Sequence, residues 1–176
     1  LTKLNLITYK ENKNLFIIKN LNNDSKFKIQ NFNLIDLNYL NQDKIKNQLT
    51  IKRNKKEYKI NGNSFDLSKI IDEVLEETDD EDNFIFANLN SRINIKIKKV
   101  YLDKDTFVKN LSGFINFKNN KINKSNLVSK FSNKKKLELT ININDQNEKI
   151  TTLFSEYPKP FVNRYKFIKG FEGGVM

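Results

Sequence analysis

The sequence predicts a mainly β fold, an antiparallel meander with two short helices. Three observations predict it. Apolar and polar residues alternate with a period of two through most of the chain. Asn-rich breaks recur at short spacing. Only two stretches carry helical periodicity. Side chains on a strand switch faces at each residue, so strict alternation means one apolar and one wet face. Strand, turn and strand at short spacing indicates hairpin connections rather than βαβ crossovers.

Taken in order, Phe27 and Ile29 alternate with Lys28 and Gln30. The break at Asn22-Asn23-Asp24 precedes them. Asn and Asp tolerate left-handed backbone and bond to their own main chain, so this break and those at Asn119-Asn120 and Asn144-Asp145-Gln146-Asn147 predict hairpin turns. A helix is expected over about 67–76, because Leu67, Ile70, Ile71, Val74 and Leu75 fall on one helical face. Asp66 is placed to cap it, and Phe65 to staple onto Ile70.

An acidic run follows: Asp72, Glu73, Glu76, Glu77, Asp79, Asp80, Glu81 and Asp82. A calcium loop needs alternating ligands and a glycine at its sharp turn. This run has no glycine and is expected to be a solvated helix end and loop. Strands resume at Ile93, Ile95 and Ile97, which alternate with Asn94, Lys96 and Lys98. Leu111, Gly113, Ile115 and Phe117 continue the pattern, within a stretch (Phe107–Phe117) expected to form a hairpin, and a weaker strand follows. Lys134-Lys135-Lys136 reads as a turn before the strand of Leu137, Leu139, Ile141 and Ile143. A further strand is expected around 149–154. The second helix is expected over about 160–169: proline suits a first turn, Phe161, Tyr165 and Ile168 share a face, and Gly170 is a stop.

The chain has 176 residues, one ordinary domain's worth, and no internal domain boundary is visible. It contains no Cys and no His. That excludes disulfides, thiolate or imidazole metal ligands, and every nucleophile or triad built on those residues. No carboxylate pair, phosphate-binding glycine loop or serine elbow stands out, so an enzyme is not expected, and neither is a cofactor or a metal. The formal net charge is +11, carried almost wholly by lysine: the arginines are Arg53, Arg92 and Arg164. Lys, Asn, Ile and Phe share A- and T-rich codons, so genome composition accounts for part of this bias. A phosphate-reading surface usually recruits arginine for its bidentate fork. Nucleic acid is therefore not the expected partner, whereas a basic surface also favours anionic lipid headgroups. No apolar run reaches the ~18–20 residues that span a bilayer, and no signal peptide is visible. The first residue is Leu1 and the last is Met176, and the chain is expected to be an internal fragment of a longer protein.

The C-terminal stretch is the most specific. A strand at 137–144, a turn and a strand around 149–154 lead into Lys159-Pro160-Phe161-Val162-Asn163-Arg164-Tyr165-Lys166-Phe167-Ile168-Lys169-Gly170-Phe171-Glu172-Gly173-Gly174. This resembles the point in AsmA-like envelope proteins where a β-hairpin is followed by a short aromatic-containing helix and a glycine pair that opens the next strand. Phe161, Tyr165, Ile168, Gly170, Gly173 and Gly174 carry the likeness. Upstream, Gly62-Asn63-Ser64-Phe65-Asp66-Leu67 with Ile70 and Ile71 is similar to the family's strand-to-helix step. The succession resembles the large proteins of the YhdP type over roughly 62–176.

The resemblance implies an elongated, twisted antiparallel sheet curled into a groove. It implies a protein held in the inner membrane by an anchor elsewhere in the parent chain. It also implies a periplasmic location in the cell envelope, possible envelope protein partners, and passage of phospholipid toward the outer membrane. Acyl chains would then lie on Ile93, Ile95, Ile97, Leu137, Leu139, Ile141 and Ile143. An open sheet with one apolar face must cover that face or use it. Two other readings stay open: a basic nucleic-acid-binding module, and a purely structural β-scaffold whose apolar face packs on the helices.

Overall fold

A computed structural model of the chain describes residues 2–68 and 85–165. Eleven strands form one open sheet. They are β1 (Thr2–Glu11), β2 (Asn14–Asn23), β3 (Ile29–Asn31), β4 (Leu34–Leu40), β5 (Lys46–Asn54), β6 (Glu57–Asp66), β7 (Ser91–Tyr101), β8 (Phe107–Lys118), β9 (Lys121–Phe131), β10 (Lys136–Ile143) and β11 (Lys149–Ser155). A short helix, α1 (Lys159–Tyr165), follows. The strands lie in sequence order, with β3 in line with β4 beside β2.

The meander holds with one exception. β6 and β7 are parallel, so the chain between them must return to the end from which β6 began. A parallel step needs a crossover of a dozen or more residues, and residues 67–90 supply it. The helix expected at 67–76 and the acidic run fall in this connection. Apart from Leu67 and Ser68 that helix lies outside the described residues, as does the whole acidic run. At its expected start, Ser68 N donates to Asp66 Oδ1 at 2.9 Å.

Other expectations need correcting. Phe107–Phe117 is not a hairpin but most of one twelve-residue strand, β8. Phe27 is not in a strand. It sits in the β2–β3 turn at φ 60° with 78% of its surface exposed, where Asp24 Oδ1 accepts from Lys26 N and Lys28 N. Asn22 and Asn23 belong to β2, and the turn begins only at Asp24, later than the break suggested. Lys136 opens β10 instead of belonging to the turn. The Asn119-Asn120 hairpin forms as expected, with φ 51° and 64°, the left-handed pair that a two-residue turn demands.

The sheet curls. Four strand spacings separate β4 from β8, about 19 Å if the sheet were flat. Yet Ala87 N donates to Ile29 O in β3 at 2.9 Å, while Asn120 Nδ2 in the β8–β9 turn donates to Phe86 O and Ala87 O at 3.2 and 3.4 Å. One residue bonded to both places them within about 10 Å of each other. Phe86 and Leu89 pack with Leu21, Phe32 and Tyr58, and Phe32 stacks on Tyr58 at 4.8 Å between centroids. At the opposite strand ends Phe161 of α1 packs with Phe131, Leu137, Val100 and Val108. The apolar face is thus walled at both ends of its strands.

Candidate functional site: an apolar row across the sheet

Register partners on neighbouring strands point to the same face. Following the pairings through the sheet gives one row: Ile7, Ile18, Ile35, Ile51, Ile60, Ile95, Gly113, Leu127, Leu139, Leu153. Every strand except β3 contributes, and no position is polar. The row crosses nine interstrand steps, about 43 Å at ~4.8 Å each. All ten residues are half-buried, so the row forms the floor of a trough between the two walls.

A parallel row one pair along holds Tyr9, Phe16, Leu37, Leu49, Gly62, Ile97 and Leu111. On the reverse face the adjacent row reads Thr8, Ile17, Asp36, Thr50, Asn61, Lys96, Ser112, Val128, Glu138, Phe154.

Two glycines permit the close strand packing. A Cβ on Gly113 would stand 1.9 Å from Asn126 O, and its φ is 143°, a backbone region that L side chains rarely adopt. A Cβ on Gly62 would stand 2.2 Å from Leu49 Cδ2.

Simple alternation fails at the strand ends, and bulges explain why. The β5–β6 register shifts between Gln48 and Leu49, and the β8–β9 register between Lys109 and Ser112. The pairing through β6, β7 and β8 passes from Gly62–Ile97–Leu111 to Ser64–Lys99–Lys109. Asn63, Lys98 and Asn110 are the extra residues, and Asn110 has φ 55°. An extra residue flips every later side chain. Ile97 and Val100 therefore share the apolar face despite odd spacing, as do Leu111 and Val108. Val100 is fully buried and Val108 is 1% exposed. Asn20, at φ 52°, marks a similar step that turns Leu21 inward.

Of the residues expected from sequence, Ile93, Ile95, Ile97, Leu137, Leu139 and Ile141 share the trough face. Ile97, Leu137 and Ile141 are buried, and the other three are half-buried. Ile143 lies at the rim of the same face, 36% exposed. Phe161 is in the wall. Of Tyr165 only the backbone at the end of α1 is described. Ile168, Gly170, Gly173 and Gly174 lie outside the described residues. Sequence reasoning missed the contribution of β1–β6: Ile7, Ile18, Ile35, Ile51 and Ile60 complete the row. Their signal was the same alternation, most visible in Ile35-Asp36-Leu37 and Leu49-Thr50-Ile51.

The trough holds little polar chemistry. Ser125 is 2% exposed beside Ile115 and Ile141, and its hydroxyl has no hydrogen-bond partner. Burial raises the Tyr58 phenol above its ordinary value, with the backbone hydrogen bond to Phe32 and the charge of Arg53 opposing. On the reverse face, the hydrogen bond from Lys136 holds the Glu138 carboxyl below its ordinary range. Partial burial opposes this; the Lys136 charge and a hydrogen bond from Asn126 assist it. Two open concavities, of about 470 and 310 Å³, lie at strand ends, lined by residues such as Glu57, Arg92 and Asn116, and Thr106, Ser132 and Tyr157. Neither belongs to the trough floor.

Among the described residues, no group of three His, Cys, Asp or Glu gathers to hold a metal. No described helix is long and apolar enough to cross a membrane. No protein-family model, curated protein or solved structure matches the chain.

Proposed function

We propose that the chain is part of an AsmA-like envelope protein that shields phospholipid acyl chains in its trough and conducts them passively between the inner and outer membranes. The observation that carries the reading is the row from Ile7 to Leu153, ten strands wide without a polar side chain. A closed core would bury such residues fully, whereas these stay half-buried. Each acyl CH₂ moved from water onto this surface gains up to about 0.8 kcal/mol. One acyl chain spans about half of a ~30 Å hydrocarbon core, so the floor is longer than its cargo. A floor of near-identical Ile and Leu side chains offers equivalent positions along its length. Sliding from one to the next then changes the energy little, and no catalytic group is needed.

The test is native mass spectrometry of the purified chain, followed by lipid extraction. Phospholipid should copurify with the wild type. Ile95→Asp and Leu139→Asp should abolish it, since a carboxylate on the floor is costly to desolvate. Thr140→Asp, on the reverse face, should leave it unchanged. Lipid-free wild type with intact β circular dichroism, or lipid retained by folded Ile95→Asp, would overturn the reading.

A further inference from the structure

The reverse face carries a separate feature. Lys99 on β7 pairs with Lys109 on β8, Lys109 with Lys130 on β9, and Lys130 with Lys136 on β10. Four ammonium groups are thus aligned across four adjacent strands, within three steps of about 4.8 Å. Like charges placed directly opposite destabilise a sheet. The bulge creates this arrangement, because if Lys98 and Asn110 took ordinary alternating positions, Lys99 and Lys109 would face the trough.

Compensation inside the molecule is thin. Among the described residues, the one carboxylate in ion-pair contact with the row is Glu138, on Lys136. Otherwise Lys99, Lys109 and Lys136 lie near aromatic rings. Lys99 Nζ is 3.9 Å from the Phe107 centroid and 4.2 Å from that of Tyr101, whose hydroxyl it also meets at 2.6 Å. Lys109 and Lys136 stand 5.9 Å from Phe107 and Phe154. Rings orient a cation without neutralising it. Lys109 and Lys130 remain exposed.

We propose that this lysine row is a docking surface for the anionic headgroups of a phospholipid bilayer. It lies on the opposite face from the trough and does not depend on the conduit reading. Lysine is a compact point charge on a flexible stem, suited to diffuse phosphate rather than to bidentate readout. Single-stranded nucleic acid would need free ring faces for its bases to stack on. Here Lys99 covers Phe107, and Arg92 covers Phe114 at 3.7 Å. A charged membrane surface needs neither fork nor stack, and each lysine near it adds about fivefold to partitioning.

The experiment is cosedimentation of the chain with phosphatidylcholine vesicles, with and without phosphatidylglycerol. Binding should require phosphatidylglycerol and weaken as salt rises. The double variant Lys109→Gln/Lys130→Gln should lose about 25-fold. The equally charged control Lys13→Gln/Lys26→Gln, altered in two hairpin turns, should lose much less. Equal loss in both doubles would reduce the effect to net charge and overturn the proposal. So would absence of binding, binding to neutral vesicles alone, or preference for an oligonucleotide that the row variant abolishes. Lipid content of the purified trough is read separately and can fail without affecting this result.

Discussion

The two faces of this sheet are made by the same strands, often by adjacent residues, and differ almost completely. On the trough side the central row is Ile and Leu with one glycine. On the reverse side the adjacent row is mostly Thr, Asn, Ser and charge, and lysines gather beyond the bulge. Alternation alone makes this separation, but only while the register is kept. The bulge at Asn63, Lys98 and Asn110 shows the cost of keeping it. One extra residue in each of three strands lets Val100 and Val108 enter the core, and sends Lys99 and Lys109 out together. The apolar wall and the lysine row are therefore two products of one irregularity.

The largest expected effect comes from the glycine in the floor. Gly113→Ala would place a methyl against the Asn126 carbonyl in a backbone conformation unfavourable to alanine. Separating β8 from β9 would disrupt both faces together. A loss of more than about 3 kcal/mol is expected from combined strain and broken packing, measured by denaturant unfolding. A loss below 1 kcal/mol, on the order of an ordinary surface change, would mean the two strands are not held this closely.

Next is the bulge itself. Asn110 sits at φ 55°, where a Cβ costs about 1–2 kcal/mol and asparagine is better tolerated than most residues. Asn110→Val is expected to destabilise by about that amount, and Asn110→Gly to be nearly neutral. If both behave alike, the left-handed step is not what fixes the register, and the shared origin of wall and lysine row is lost.

Much of this was legible in the sequence, and the remainder has a physical reason. Ile93, Ile95, Ile97, Leu137, Leu139 and Ile141 could be placed on one face because period two ran unbroken through each stretch. The Asn119-Asn120 turn could be placed because its chemistry is local. Val100, Val108 and Leu21 could not, because a bulge is set by the partner strand, and Asn110 resembles every other asparagine in a chain rich in them. The parallel step at β6–β7 was hidden for a related reason: alternation defines faces but carries no strand direction. The lysine row was hidden because its four members lie on four strands, and three register assignments are needed to see them as neighbours.

The smallest expected effect tests how the reverse face balances its charge. Among the described residues Glu138 is the one carboxylate in ion-pair contact with the lysine row, and its bond to Lys136 holds its pKa below the ordinary 4.5. A depressed carboxyl contributes stability above its unfolded pKa and loses it as pH falls through the folded one. Wild type should therefore be slightly more stable than Glu138→Gln at neutral pH. The difference should shrink below pH 4.5 and vanish once Glu138 is protonated in both states. The same substitution removes the counter-charge from Lys136. Affinity for phosphatidylglycerol vesicles should then rise, by up to about fivefold, as stability falls. Opposite signs from one residue would show that the row is strained within the molecule and relieved by an anionic partner. A stability difference independent of pH, or vesicle affinity that falls with stability, would instead make Glu138 an ordinary surface residue and the lysines an unconnected set of solvated charges.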